Sequence, residues 1–216
     1  MAAAMRPYAP GEGIADRYVH LTGFAAALVG AVVLIVAAAQ RQSALMIFSV
    51  AVYGFGLLGM IGASALYNST APSRRKEWFR RLDQAAIFLL IAGTYTPFAL
   101  VRMAGMWGAS IAALVWSVAI GGMALKLVHP RRLERFSTAL YLGLGWVILV
   151  APDPLFTDVP LKAIILLGLG GMLYSLGIVF HMWKGLPYHK AIWHGFVLAA
   201  AGCHYVAVLS GVVLAA

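Results

Sequence analysis

Acidic side chains and cysteine are scarce in this chain. Its 216 residues include seven Asp and Glu and a single Cys, and charged residues of both signs make up only 11%. A lone Cys203 excludes an intramolecular disulfide. So few charges also exclude a water-soluble globule, because 62% hydrophobic residues and a mean hydropathy of +0.88 leave too little polar surface to solvate. The sequence reads as an integral membrane protein. The segment Met1–Gly13 carries Arg6, Pro7, Pro10 and Glu12 and lacks the apolar region of a cleaved signal peptide, so the first span is expected to act as an uncleaved anchor. No low-complexity tract, linker or repeat of 20 to 50 residues divides the chain, and one domain over 1–216 is expected.

What is present is a series of apolar runs near the ~20 residues that a helix needs to cross the hydrocarbon core. They predict an all-α, seven-transmembrane helix bundle with spans at approximately 18–39, 44–67, 83–101, 106–126, 136–151, 161–181 and 191–214. The fifth is short and needs local thinning or polar flanks. Seven spans place the N-terminus on the same side as the loops after spans 2, 4 and 6. That side holds 13 of the 16 Lys and Arg, including Arg74-Arg75-Lys76 and Arg131-Arg132, and the other holds Arg41, Arg102 and Lys162. Positive loops stay cytoplasmic, so the N-terminus is expected inside and the C-terminus outside, in the cell (inner or plasma) membrane. The net charge of +9 then needs no nucleic acid. The expected partners are membrane lipids, with anionic head groups at the basic cytosolic loops.

Threading polar residues onto this topology gathers five of them at the inner ends of spans 2, 3 and 7. Ser64 and Asn68 are four residues apart, as are Lys190 and His194, so each pair shares a helix face. Asp83 joins them at the start of span 3, as the only acidic residue these boundaries place at a span. Ionisable groups in spans are costly and face the bundle interior or a partner.

At these residues the chain resembles the hemolysin III family, part of the progestin and adipoQ receptor superfamily and related to alkaline ceramidases. The resemblance runs through His20-Leu-Thr-Gly23, Ser64-Ala-Leu-Tyr67, Leu82-Asp83, Ala92-Gly-Thr-Tyr-Thr-Pro97, Tyr141 to Trp146, Ala191-Ile-Trp-His194 and His204-Tyr205. It implies a zinc site near the cytosolic face, built from Ser-x-x-x-His in span 2, an Asp in span 3 and His-x-x-x-His in span 7. Three histidines would hold the metal, and the Ser and Asp would attend a metal-bound water. Ser64, Asp83 and His194 match this pattern. Asn68 and Lys190 occupy the other two ligand positions. An amide is a poor zinc ligand, and a protonated lysine has no lone pair to offer.

Two readings follow. In the first no cofactor is bound, and Lys190 supplies the positive charge that offsets Asp83, with Ser64 and Asn68 completing the hydrogen bonds. In the second zinc is kept by His194 and Asp83 with one or both of His181 and His189 as substitutes. His189 and His194 lie about 140° apart around a helix, so these two could converge only if His189 leaves it. His20 and His204 read as interfacial or hydrogen-bonded helix residues. Functionally, the first reading favours membrane lipid or energetics homeostasis, or lipid sensing, without metal catalysis. The second keeps a ceramidase-like lipid amide hydrolase with Ser64 and Asp83 as catalytic counterparts. Pore-forming cytolysis, implied by the family's name alone, finds no secretion signal or separate amphipathic segment.

The remaining features read as structural. Glycines such as Gly54, Gly56, Gly121, Gly122, Gly168, Gly170 and Gly171 suit close helix packing within the bundle. Pro97 is expected to kink span 3, with Thr94 or Thr96 occupying freed carbonyls. Trp78, Trp107, Trp146, Trp183 and Trp193 fit an interfacial belt.

Overall fold

The computed structural model describes residues 10–103, 105–129, 134–150 and 152–215. Among them every regular element is helical: α1 (Pro10–Gln40), α2 (Ala44–Ser69), α3 (Arg74–Pro97), α4 (Met106–Val128), α5 (Glu134–Gly145), α6 (Pro152–Asp158), α7 (Leu161–Met182) and α8 (His189–Val208). A π turn, Phe98–Arg102, extends α3, another, Leu209–Val213, extends α8, and a 3-10 turn, Val147–Val150, follows α5. Six of these helices, α1 to α4, α7 and α8, are long and apolar enough to cross a membrane.

Local chemistry sets the boundaries. Pro10 opens α1, where its missing N–H costs nothing, and Glu12 in the first turn complements the helix dipole. Ser43 caps α2 by accepting from the Met46 N–H at 3.3 Å, and Ser73 caps α3 through Lys76 at 3.2 Å. α1 thus begins eight residues before the expected span, and α3 nine. The hydropathy boundary at 18 had placed Asp16 outside the membrane helix; α1 takes in both Glu12 and Asp16, so Asp83 is not the only acid at a span.

The largest departure lies in the expected span 136–151. α5 stops at Gly145, and its apolar part, Phe136–Gly145, is about half the length of a crossing helix. The Tyr95 hydroxyl sits in the break, donating to the Gly145 carbonyl at 2.9 Å and accepting from the Ile148 N–H at 3.1 Å. It satisfies two backbone groups that a continuous helix would pair internally, which is what allows non-helical chain at membrane depth.

Hydrogen bonds define two ends of the bundle. At one, Arg41 reaches the Leu214 carbonyl, and Arg102 reaches the carbonyls of Asp158 and Ala215. At the other, Arg81 donates to the Leu127 carbonyl at 2.6 Å, beside the finish of α2 and the start of α3. α4 therefore finishes at the second end, while Asp158, just before α7, lies at the first.

The core is built around Tyr53, Phe88, Leu34, Val50 and Val115, all fully buried, with Phe88 and Tyr141 ring centroids 4.5 Å apart. Gly56 and Gly93 bring α2 and α3 into backbone contact: a Cβ on Gly56 would lie 3.1 Å from the Leu89 oxygen, and one on Gly93 3.2 Å from the Val52 oxygen. Gly122 packs on the Phe88 ring and Gly170 against His204, whereas Gly121 and Gly168 face open space. The glycines thus divide between helix packing and free surface.

Pro97 lies in α3 as expected, but Thr94 and Thr96 bond the Leu90 and Ala92 carbonyls, each at 2.8 Å, and not that of Gly93, which Pro97 frees. Trp78, Trp107 and Trp183 are exposed near helix ends. Trp146 and Trp193 instead face an internal cavity, with the Trp146 indole N–H on Ser175 Oγ at 3.3 Å. Lys126, one of the 13 basic residues on the expected cytosolic side, is 1% exposed. Its aliphatic stem lets it take an interior position at the end of α4.

Candidate functional site

The cavity occupies the space between α2, α3, α5, α7 and α8 and has a volume of about 950 Å³. Its polar end is lined by His20, Ser64, Asn68, Asp83, Lys190 and His194. Its walls continue through Thr94 and Tyr95 to Phe98, Met103, Leu155 and Ile164. The expected cluster at Ser64, Asn68, Asp83, Lys190 and His194 therefore shares one cavity, joined by His181 and His189.

Hydrogen bonding orders the polar end. Asn68 spends its amide on α2, with Nδ2 donating to the Ser64 carbonyl at 2.9 Å and to Ser64 Oγ at 3.4 Å. His20 Nδ1 meets the Asp16 carbonyl at 2.8 Å, and Nε2 meets Ser64 Oγ at 3.2 Å. A carbonyl only accepts, so Nδ1 carries the proton, and in the neutral ring Nε2 accepts from the Ser64 hydroxyl. Asp83 lines the same end of the cavity as Ser64. From α8, His194 Nδ1 donates to Asp16 Oδ1 at 2.5 Å, and the His20 and His194 rings stand edge to face with centroids 4.3 Å apart.

Asp16 is the residue that sequence reasoning missed. It is 7% exposed and joins α1 to α8 across 178 residues of chain. A signal for it was present: Asp16 and His20 have the same four-residue spacing as Ser64/Asn68 and Lys190/His194. His20 does prove to be a hydrogen-bonded helix residue, and His204 likewise donates from Nε2 to the Leu167 carbonyl at 3.2 Å. His20 is also part of the cluster itself.

The zinc ligands implied by the resemblance do not fit these side chains. The Asn68 amide points its donors at Ser64, and Lys190 offers an ammonium where an imidazole is required. Among the described residues, the group whose ligand atoms all lie within 4.8 Å of one another is Asp16, His20 and His194. Neither Asp83, His181 nor His189 belongs to it. His181 packs its ring on Trp193 at 5.2 Å, and His189 is the first residue of α8 and does not leave the helix.

Comparison with known proteins gives the family. Residues 14–205 match the family described as haemolysin-III related. A hemolysin-3 homolog of Bacillus subtilis (strain 168) is 38% identical over 198 residues, covering 92% of this chain and 93% of that protein. Hemolysin-3 of Bacillus cereus is 37% identical, covering 92% and 90%. The human monocyte to macrophage differentiation factor is 26% identical over 163 residues, covering 73% and 67%. No solved structure matches the chain. Six membrane-length apolar helices and a match along nearly the whole sequence lead to one conclusion: this multi-pass membrane protein belongs to the haemolysin-III related family.

Proposed function

We propose that the protein binds a membrane lipid in its interhelical cavity and acts in membrane lipid homeostasis or lipid sensing, without metal-activated hydrolysis. The cavity carries this reading. It is polar at Ser64, Asp83 and Lys190 and apolar toward Phe98 and Met103. Fifteen residues of α3 and its extension separate Asp83 from Phe98, roughly 22 Å at 1.5 Å per residue. A slot of that length and polarity suits one acyl chain with its head group at the charged end. The lipid amide hydrolase alternative needs a metal-bound water beside Ser64 and Asp83, and Asn68 and Lys190 do not supply its ligands.

Gly168 tests the cavity directly. It lines the cavity wall with nothing within 4 Å of an added Cβ, so a phenyl ring there enters the empty space rather than the packed bundle. Gly168→Phe should retain the melting temperature yet lower binding of a fluorescent fatty acid by roughly tenfold, about 1.4 kcal/mol. Gly121→Phe, on an exposed face with the same free space, serves as control. Equal binding by both variants would remove the cavity from the mechanism.

The same reading includes seven crossings with the N-terminus inside. What supports it is the passage of the chain from the Leu127 end to the Asp158 end between two full-length helices, together with the 13 to 3 division of basic residues. Reporters fused to the two termini should then report opposite sides of the membrane. Reporters on one side would reduce the α5–α6 segment to a re-entrant excursion.

A further inference from the structure

We propose that Asp16, His20 and His194 form a binding site for a divalent transition metal, fastening the first helix to the last. The site shares only His194 with the ligand set that the resemblance implied. It does not depend on the lipid reading.

Geometry comes first. Asp16 and His20 lie one turn apart on α1, and α8 brings His194 onto the same carboxylate. Their ligand atoms lie within 4.8 Å of one another. A metal bound at ~2.0–2.1 Å in tetrahedral geometry needs donors separated by roughly 3.3 Å. Binding therefore has to draw the three donors together from within 4.8 Å.

Chemistry selects the class of ion. Two imidazoles and one carboxylate form the donor set of zinc and of non-haem iron(II), whereas calcium and magnesium require oxygen ligands. Binding takes both imidazoles neutral, which removes any repulsion between rings 4.3 Å apart. The surroundings supply the orientation that such ligands need. The Nδ1–H of His20 donates to the Asp16 carbonyl and fixes the ring, so that Nε2 is the ligand atom and exchanges Ser64 Oγ for the metal, while Asn68 donates to Ser64. Asp16 is 7% and His20 5% exposed, so bulk water competes weakly for the site. The departures from the family pattern then acquire a reason: a metal bound between α1 and α8 needs no ligand at positions 68 and 190.

The test uses the full chain in detergent, stripped with a chelator and titrated with Zn²⁺, with Co²⁺ as a visible-absorption reporter and with Fe²⁺ under anaerobic conditions. One equivalent per chain is expected in the parent, with affinity lower by roughly tenfold or more in Asp16→Asn and in His20→Gln. His181→Gln and Gly168→Phe should bind as the parent does, which separates this proposal from the lipid reading. Absence of uptake by the parent at micromolar metal, or uptake that survives both Asp16→Asn and His20→Gln, would overturn it. Should those variants fail to fold, X-ray absorption on the Co²⁺-loaded parent decides: two imidazoles and an oxygen donor support the site, and fewer than two imidazoles refute it.

Discussion

Asp16→Ala is expected to destabilise the protein by about 3 kcal/mol, the largest loss for any single polar side chain in the bundle. The Asp16 and His194 side chains are 10% and 13% exposed, and their 2.5 Å contact joins helices at opposite ends of the sequence. Truncating the acid takes from the His194 N–H the acceptor it has. The cost of removing one partner exceeds the net worth of the pair, because the group left behind has been desolvated without compensation. His20 loses less, since its Nδ1 partner is the backbone carbonyl of Asp16, which remains after truncation. A double variant, Asp16→Leu with His194→Leu, should therefore recover more than half of the loss. Thermal melts of the two single variants and the double variant measure the coupling. Additive losses would show that the two side chains act independently.

Gly108→Ala comes next, with an expected cost near the upper end of overpacking, about 3 kcal/mol. Gly108 lies in the first turn of α4, where a Cβ would collide with the carbonyl oxygens of Met103 and Ala99. Ala99 belongs to the π turn after α3 and Met103 is the residue that follows it, so relief requires backbone movement rather than a change of rotamer. Gly121→Ala, later in the same helix, meets nothing within 4 Å and should be neutral or stabilising by up to about 1 kcal/mol through helix propensity. The same chemical change thus carries opposite signs at two positions of α4. Equal melting temperatures for the two variants would refute the close approach.

The comparison of sequence with structure turns on particular residues. Ser64 with Asn68 and Lys190 with His194 were legible because a four-residue spacing fixes a helix face wherever the helix is later placed. Asp83 was legible because a carboxylate at the head of an apolar run needs a polar neighbour. Asp16 was missed because hydropathy falls at Asp16-Arg17, and a span was begun after them; α1 continues to Pro10, where the absent N–H makes proline a good first residue. The break after Gly145 was missed for another reason. The run 136–151 is apolar throughout its length except for a few small polar residues, and only the Tyr95 hydroxyl, 50 residues earlier in sequence, makes the interruption affordable by satisfying the freed backbone groups.

The sequence by itself determined that this chain lives in a bilayer, that it is helical, which faces carry polar pairs and to which family it is similar, because composition and helical periodicity are local properties. Tertiary structure alone decided which pairs meet. Bringing α8 against α1 placed His194 on Asp16, and packing α5 beside α3 opened the cavity that those polar groups line. Contacts across 178 residues follow from how helices pack, and no local pattern specifies them.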